Sequence, residues 1–169
     1  MQINITGNAG SGKTTLANKL GALLGFPVIP MDTIVWKPGW AKASPEEISR
    51  KVSELTKQPE WILDGVSRQA RNKADLIVFL DTPKNACALR CMKRNLPYLF
   101  HSRPELPENC PEWKIIPELF KIIYRFESRV KPAIIRDINR RPGTGFVIKD
   151  KRDLAELSSK LGLYKTQHN

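Results

Sequence analysis

Cysteine and histidine are scarce in this chain, with three and two of them among 169 residues. So few cysteines, with no room for an export signal ahead of the first strand-like segment, argue against a disulfide framework and predict a reducing, cytoplasmic location. A metal site built from Cys87, Cys91, Cys110 and His101 is disfavoured because no C-x-x-C pair occurs. Buried cysteines ordinarily contribute to packing, and we expect that role here.

Long apolar runs, internal repeats and low-complexity segments are also missing. No apolar run approaches the roughly 20 residues that a membrane-spanning helix needs. Hydrophobic residues nevertheless make up 41% of the chain, which argues against disorder. The length suits one domain with its own core, so we expect a single domain over residues 1–169.

Acidic residues are in deficit, and the formal net charge is +11. Much of the excess is local, because residues 84–141 contain 13 Lys and Arg against 6 Asp and Glu. Three interpretations are open: an arginine-rich cap over a polyanionic nucleotide, a surface for nucleic acid, or a solvated basic face without a specific role.

The pattern G-x-x-x-x-G-K-[ST] occurs in full at residues 7–14, here called the phosphate loop. Glycines let such a loop turn tightly and bring backbone N–H groups close to a phosphate. Lys13 can reach the β- and γ-phosphates, and the Thr14 hydroxyl is placed to bind Mg²⁺. The candidate nucleotide-binding residues are Gly7, Asn8, Ala9, Gly10, Ser11, Gly12, Lys13, Thr14 and Thr15.

The flanks of the phosphate loop support this interpretation. A short apolar strand is predicted at residues 3–6, and an amphipathic helix follows the loop and ends at Gly25. A strand, a glycine-rich loop and a helix N-terminus together form the usual site for a triphosphate. The chain is therefore predicted to bind a nucleotide.

Two later strand-like segments end in acidic residues, Asp32 and Asp64. Ligands of open α/β sheets bind at the carboxyl ends of the strands, so Asp32 is a candidate for contacting or activating a phosphate acceptor, or it caps the next turn. Asp64 is a candidate to hold Mg²⁺ through a water molecule, or it is a structural turn residue. Trp36 and Trp40 either line an acceptor pocket or pack together.

The remaining elements complete an alternation of strands and helices. Ser44 with Glu47 predicts a capped helix, and Thr82-Pro83 predicts another helix start by the same logic. A long apolar pattern from Trp113 predicts a helix interrupted at Pro117 and Pro132. Five strand candidates predict an α/β, P-loop NTPase fold with a five-stranded parallel sheet flanked by helices.

With these motifs in place, the chain resembles the adenylate-kinase-like branch of P-loop kinases, and most closely the bacterial DNA topology modulation proteins. The resemblance rests on the phosphate loop together with five later motifs: Met31-Asp32 with Trp36-x-x-x-Trp40, Asp64-Gly65-x-x-Arg68, Phe79-Leu80-Asp81-Thr82-Pro83, Arg90-x-x-x-Arg94 and Cys110-Pro111-Glu112.

The resemblance implies a short mobile lid at about residues 95–114. It also implies that Arg90 lies near the nucleotide base and Arg94 near the phosphates, while Arg125 and Arg129 close on the transferring phosphoryl group. The chain lacks the cation that adenylate kinases carry after the second strand to grip an acceptor phosphate.

The leading functional hypothesis is a phosphotransferase that uses ATP and Mg²⁺. Lys13 and Thr14 would hold phosphates and metal, and Asp64 the water shell of the metal. Arg94, Arg125 and Arg129 would stabilise the transition state, and Asp32 would orient or deprotonate an acceptor hydroxyl, which predicts an uncharged or weakly charged acceptor. The alternatives are a nucleic-acid-binding protein with a regulatory nucleotide site and an ATPase switch without an acceptor.

Overall fold

The structure is a computed structural model that describes residues 1–98 and 112–168. Its strands are β1 (Gln2–Gly7), β2 (Val28–Pro30), β3 (Trp36–Lys37), β4 (Ala41–Lys42), β5 (Trp61–Asp64), β6 (Leu76–Leu80) and β7 (Gly145–Ile148). Its α-helices are α1 (Lys13–Leu24), α2 (Met31–Val35), α3 (Pro45–Leu55), α4 (Arg68–Lys73), α5 (Lys84–Asn95), α6 (Glu112–Arg129), α7 (Lys131–Asn139) and α8 (Lys151–His168).

Five strands form one parallel sheet in the order β2-β5-β1-β6-β7. The central strand, β1, pairs with β5 on one side and with β6 on the other. This arrangement confirms the predicted α/β class and the five-stranded parallel sheet. The antiparallel pair of β3 and β4 was not predicted, because two-residue strands leave no periodic pattern.

Helices cover both faces of the sheet, so its strands are buried on both sides. Ile3 and Ile5 of β1 are fully buried and pack with α1 and α8 through Leu16, Leu20 and Leu157. The opposite face is covered by a second cluster that includes residues of α2, α3 and α4. The carboxyl ends of β1, β5 and β6 therefore open at one edge between two covered faces.

Local capping follows the sequence at two predicted places. The Ser44 hydroxyl accepts a hydrogen bond from the Glu47 amide at 3.2 Å, and α3 begins directly after it. Gly25 ends α1 with a φ of 79°, a left-handed conformation that glycine adopts without a steric penalty. Both predictions are confirmed.

The predicted environment of Asp32 is partly wrong. β2 ends at Pro30, and Asp32 lies in the first turn of α2 rather than in the strand. The chain turns helical there because Met31 and Ile34, three residues apart, bury on the same side of that turn.

The helix starts predicted around proline need two corrections. Thr82 does not cap α5, which begins at Lys84 with Pro83 at the N-cap position. Pro117 does not break the predicted helix and lies inside α6, beyond its first turn, where proline removes a backbone hydrogen bond. The break falls after Arg129, and Pro132 lies in the first turn of α7, where its missing N–H costs no hydrogen bond.

The predicted lid at residues 95–114 lies mostly outside the described residues, as do Cys110 and His101. Its described ends are the last residue of α5, a 3₁₀ turn at Leu96–Tyr98 and the first turn of α6. Across residues 1–98 and 112–168, every helix is too short or too polar to cross a bilayer.

Candidate functional site

The phosphate loop joins the end of β1 to the start of α1 at the carboxyl edge of the sheet. Gly12 is the N-cap of α1 with a φ of 100°, which disfavours any residue with a side chain. Apart from its two chain neighbours, no atom of residues 1–98 and 112–168 lies within 4 Å of the position that a Cβ would take there, so the described part of the chain leaves space beside Gly12. The free backbone N–H groups and helix dipole at the N-terminus of α1 suit an anion.

Helix α5 packs against the back of the loop. A Cβ on Gly10 would lie 2.5 Å from the Cys87 carbonyl oxygen and 2.8 Å from Cys91 Sγ, so only glycine fits. Cys87 and Cys91 are buried and pack with Ile123 of α6. Their role in the described part of the chain is to support the phosphate loop.

Asn8 connects the loop to α6. Its Nδ2 donates to the Ile123 carbonyl oxygen at 3.0 Å, and its Oδ1 accepts from the Ala9 amide at 2.8 Å. The Asn8 carbonyl oxygen accepts hydrogen bonds from Lys13 Nζ at 2.8 Å and from the Ser11 amide at 3.1 Å. The Lys13 ammonium thus bonds to an oxygen of the loop itself, next to the position where a phosphate would lie.

Asp64, at the end of β5, meets Thr14 of α1. Thr14 Oγ1 donates to Asp64 Oδ2 at 2.6 Å, and Asp64 is only 7% exposed. Among the described residues, the second carboxylate oxygen, Oδ1, is buried without a hydrogen-bond partner. A carboxylate and a hydroxyl at the edge of a phosphate loop are oxygen ligands of the kind that Mg²⁺ prefers, so the residues present fit that ion.

Burial disfavours the charged forms of both Asp64 and Lys13. Burial raises the pKa of the Asp64 carboxyl, and the hydrogen bond from Thr14 and the charge of Lys13 oppose this rise. Burial likewise lowers the pKa of Lys13, and the charges of Asp64 and Asp32 oppose the fall. At both groups the effect of burial on the pKa outweighs that of the neighbouring charges.

Asp32 and Arg94 belong to the same electrostatic site. Each is close enough to Lys13 and Asp64 for its charge to affect both pKa values. Asp32 is exposed in the first turn of α2, and Arg94 is exposed near the end of α5, where its Nε donates to Asn95 Oδ1 at 3.2 Å. The structure therefore brings together Lys13, Thr14, Asp64, Asp32 and Arg94.

The other predicted cations are less closely tied to this site. Arg90 is exposed on α5, and its charge affects the Cys87 thiol. Arg125 and Arg129 are exposed in the last two turns of α6, the helix that Asn8 contacts at Ile123. Within residues 1–98 and 112–168, neither guanidinium forms a hydrogen bond or an ion pair with the phosphate loop. Thr15 is exposed in the first turn of α1.

Trp36 and Trp40 pack edge to face, with ring centroids 5.3 Å apart and an interplanar angle of 86°. Trp40 has a φ of 61°, a strained conformation for a bulky residue. The hairpin that carries both rings is joined to α3 by an ion pair of 2.6 Å between Lys37 and Glu47. Packing of the two rings is thus confirmed, and a role in an acceptor pocket stays a prediction.

Sequence reasoning missed Asn4 of β1. This residue is fully buried, and its Nδ2 donates to the carbonyl oxygens of Leu63 and Gly65 at 3.0 and 3.2 Å. The available signal was the presence of an amide in an otherwise apolar, buried strand, where asparagine is depleted.

Comparison with solved structures identifies the fold. A shikimate kinase from Acinetobacter baumannii in complex with shikimate aligns with a TM-score of 0.54 and 23% identity, over 96% of this chain and 93% of that chain. A deoxyadenosine kinase from M. mycoides with dCMP and dCDP bound aligns with a TM-score of 0.57 and 16% identity, over 95% of this chain and 98% of that one.

The YorR protein of Bacillus subtilis in complex with phosphorylated GDP aligns with a TM-score of 0.53 and 14% identity, over 100% and 99% of the two chains. No family model and no curated protein matches this chain. At these identities the likeness is one of fold: the chain has the P-loop NTPase fold that kinases of small molecules and nucleosides share.

Proposed function

We propose that this chain is a Mg-ATP-dependent phosphotransferase that acts on a hydroxyl group of a small, uncharged acceptor. The observation that carries the proposal is the contact of 2.6 Å between Thr14 and Asp64, with the Lys13 ammonium beside it. These groups meet at the N-terminus of α1. A triphosphate and Mg²⁺ would compensate the charges that burial leaves only partly matched.

The chain's own groups have distinct tasks in binding the nucleotide. Backbone N–H groups of the phosphate loop donate to phosphate oxygens, and Lys13 exchanges its bond to the Asn8 carbonyl oxygen for one to a phosphate. The Thr14 hydroxyl would hold Mg²⁺ directly, and Asp64 would hold it through water. When bound, that ion supplies positive charge between the phosphates and fixes their geometry.

Asp32 is proposed to accept the acceptor's proton. The acceptor oxygen forms a bond to the γ-phosphorus while the bond from that phosphorus to the bridging oxygen breaks, ADP leaves, and the hydroxyl proton goes to Asp32. A carboxylate at this place repels a phosphorylated acceptor, which favours an uncharged one. The deoxynucleotides bound to one neighbour make nucleosides, the uncharged compounds of that class, the first acceptors to test, followed by small alcohols.

The arginines are proposed to neutralise charge that develops in the transition state. Arg94 has the best support because its charge already affects Lys13 and Asp64. Arg125 and Arg129 are assigned the same role, and Arg90 a place near the base, on the resemblance to adenylate-kinase-like proteins. The same proposal includes a single cytosolic domain with a lid at about residues 95–114. It also includes kinship with DNA topology modulation proteins.

An ADP-release assay with Mg-ATP and a panel of nucleosides, nucleoside monophosphates and small alcohols tests the proposal. We expect release to rise above its basal rate only with an uncharged acceptor. Asp32→Asn should abolish that rise, while Glu54→Gln, an exposed carboxylate on α3, should leave it unchanged. Release that no acceptor alters would contradict the proposal and indicate an ATPase switch.

Exposed cations favour a second candidate function, nucleic-acid binding. They are Arg90, Lys93, Arg94, Lys114, Lys121, Arg125, Arg129, Arg136 and Arg140, all exposed on α5, α6, α7 and the residue that follows α7. Binding through phosphate contacts would weaken steeply as salt rises. Gel-shift titrations of duplex DNA at low and at physiological salt test it, and no shift at low salt rules it out. Repeating the ADP-release assay with duplex DNA would reveal a DNA-linked ATPase.

A further inference from the structure

We infer that Asn4 is a positioning residue that holds the Asp64 carboxylate in place for the metal-bound nucleotide. The side-chain amide of Asn4 donates to the carbonyl oxygens of the residues before and after Asp64, and Asp64 in turn contacts Thr14. The inference rests on the proposed function, because it concerns the same metal site.

The two hydrogen bonds of Asn4 bracket Asp64 in the sequence. Nδ2 donates to the Leu63 carbonyl oxygen at 3.0 Å and to the Gly65 carbonyl oxygen at 3.2 Å. Both bonds are buried, so water does not compete for them. The backbone on either side of Asp64 is thus fixed to the central strand, beyond the pairing of β1 with β5.

An amide at this position is otherwise unfavourable. In the register of the sheet, Asn4 lies between Leu63 of β5 and Ile77 of β6, and both side chains are fully buried. Among the described residues, Asn4 Oδ1 has no hydrogen-bond partner, which adds a desolvation cost. A leucine or valine would pack here at lower cost. The two hydrogen bonds to the backbone around Asp64 therefore explain why asparagine occupies this position.

The turn that Asn4 holds packs closely against the start of α2. On the far side of the turn, Gly65 has a φ of +148°, and a Cβ on it would lie 2.3 Å from Met31 Cβ. Met31 directly precedes Asp32, so a displaced turn would disturb both carboxylates.

The experiment measures nucleotide affinity, not turnover. Isothermal titration of the non-hydrolysable analogue AMP-PNP in EDTA and in Mg²⁺ gives the factor by which Mg²⁺ tightens binding. In Asn4→Leu and Asn4→Ser we expect this factor to fall about tenfold, the lower end of the effect of losing an outer-shell partner. Affinity in EDTA should stay within about twofold, because the phosphate loop is untouched.

Thr6→Val is the matched control. Thr6 lies on the same face of β1 two residues away and is equally buried, but its hydroxyl has no hydrogen-bond partner in the described part of the chain. Its replacement should leave the Mg²⁺ factor unchanged. An Asn4 variant with a wild-type factor would overturn the inference, as would Thr6→Val with the same loss.

If the proposed function is wrong, the titrations give a different result from the one expected if only the role of Asn4 is wrong. Wild-type protein whose nucleotide affinity does not depend on Mg²⁺ would contradict the metal site itself. A second measurement covers the case in which the Asn4 variants do not fold. In the wild-type protein, the NMR signals of the Asn4 side-chain amide should shift when Mg²⁺ is added to the AMP-PNP complex, and an unchanged signal contradicts the inference.

Discussion

Two groups of partly or fully buried charges in this protein differ in how well their neighbours compensate them. In the phosphate-loop site, Lys13 and Asp64 are both disfavoured by burial and only partly compensated. Between α4 and α7, Arg71 is 3% exposed and its Nε donates to Asp137 Oδ2 at 2.9 Å. We call this second group the helix lock.

The helix lock is completed by Arg141, which follows α7. Its guanidinium donates to the carbonyl oxygens of Arg71, Asn72 and Ala74, at the end of α4. Three nitrogens of the lock, Arg71 Nε and Arg141 Nη1 and Nη2, thus donate to oxygens within the chain, while Arg71 Nη1 is buried without a partner among the described residues. Removing one partner of such a buried pair is costly, whereas charge that the neighbours match only in part is available to a ligand.

The largest expected effect is a loss of turnover without a loss of stability when Lys13 of the phosphate loop is replaced. Lys13→Met should lower turnover by about 1,000-fold, because a cation that stabilises transferring phosphate is lost. Its melting temperature should stay the same or rise, since burial lowers the pKa of Lys13 and disfavours its charged form. The measurements are ADP release and thermal unfolding, with Lys19→Met, an exposed site on α1, as the control. Near-normal turnover would remove Lys13 from the site.

The helix lock should respond in the opposite way. Arg71→Met leaves Asp137, whose side chain is only 16% exposed, without its ion-pair partner. The change should cost about 3 kcal/mol of unfolding free energy, or roughly 6–12 °C in melting temperature. Turnover at low temperature should change little. Urea denaturation measures the loss, and Arg140→Met is the exposed control. Adding Asp137→Leu should restore part of the stability, and a double variant no better than the single one would argue against the pair.

A smaller effect is expected at Asp64. Asp64→Asn keeps an acceptor for the Thr14 hydroxyl and removes a charge that burial disfavours, so the nucleotide-free protein should melt about 2–4 °C higher. The same variant should lose the tightening of nucleotide binding by Mg²⁺.

The pH dependence of this gain checks its cause. The folded-state pKa of Asp64 lies above the unfolded value, so the folded protein gains stability from protonation in acid and loses it as pH rises through the folded pKa. The difference in melting temperature between Asp64→Asn and wild type should therefore be small in acid and grow toward neutral pH. A constant difference would point to another cause.

The smallest effect is expected at an exposed ion pair. Glu118 and Lys121 lie 3.4 Å apart on α6, with more than half of each side chain exposed. Glu118→Gln should change the free energy of unfolding by less than about 0.5 kcal/mol, because water screens the pair. Urea denaturation of both proteins checks this, and a loss comparable to that of Arg71→Met would undo the contrast between matched buried charge and surface charge.

Features of this fold that depend on neighbours along the chain could be predicted from the sequence. Ser44 begins α3 and Gly25 ends α1 as predicted, and the phosphate loop lies between the predicted strand and helix. The contact of Thr14 with Asp64 agrees with the expectation that both lie at the carboxyl edge of the sheet.

Features that depend on tertiary packing could not be predicted. The Thr82 hydroxyl donates to the Ser11 carbonyl oxygen at 3.4 Å instead of capping α5, which only the loop's position explains. Asn4 and Arg71 find their partners 59 to 66 residues away, and no periodicity indicates such pairs. The environment of Arg125 and Arg129 likewise depends on how α6 is placed, which spacing along a helix does not determine.

The hydrogen bond from Asn8 to Ile123 has a consequence for the order of folding. It joins residues 115 positions apart, so the phosphate loop receives this support only after α6 has docked. Closing so long a loop costs conformational entropy before any contact compensates it, and such contacts form late. A growing chain that has not yet released α6 has the complete phosphate-loop motif but lacks this support, so the loop is fully supported only near the end of folding.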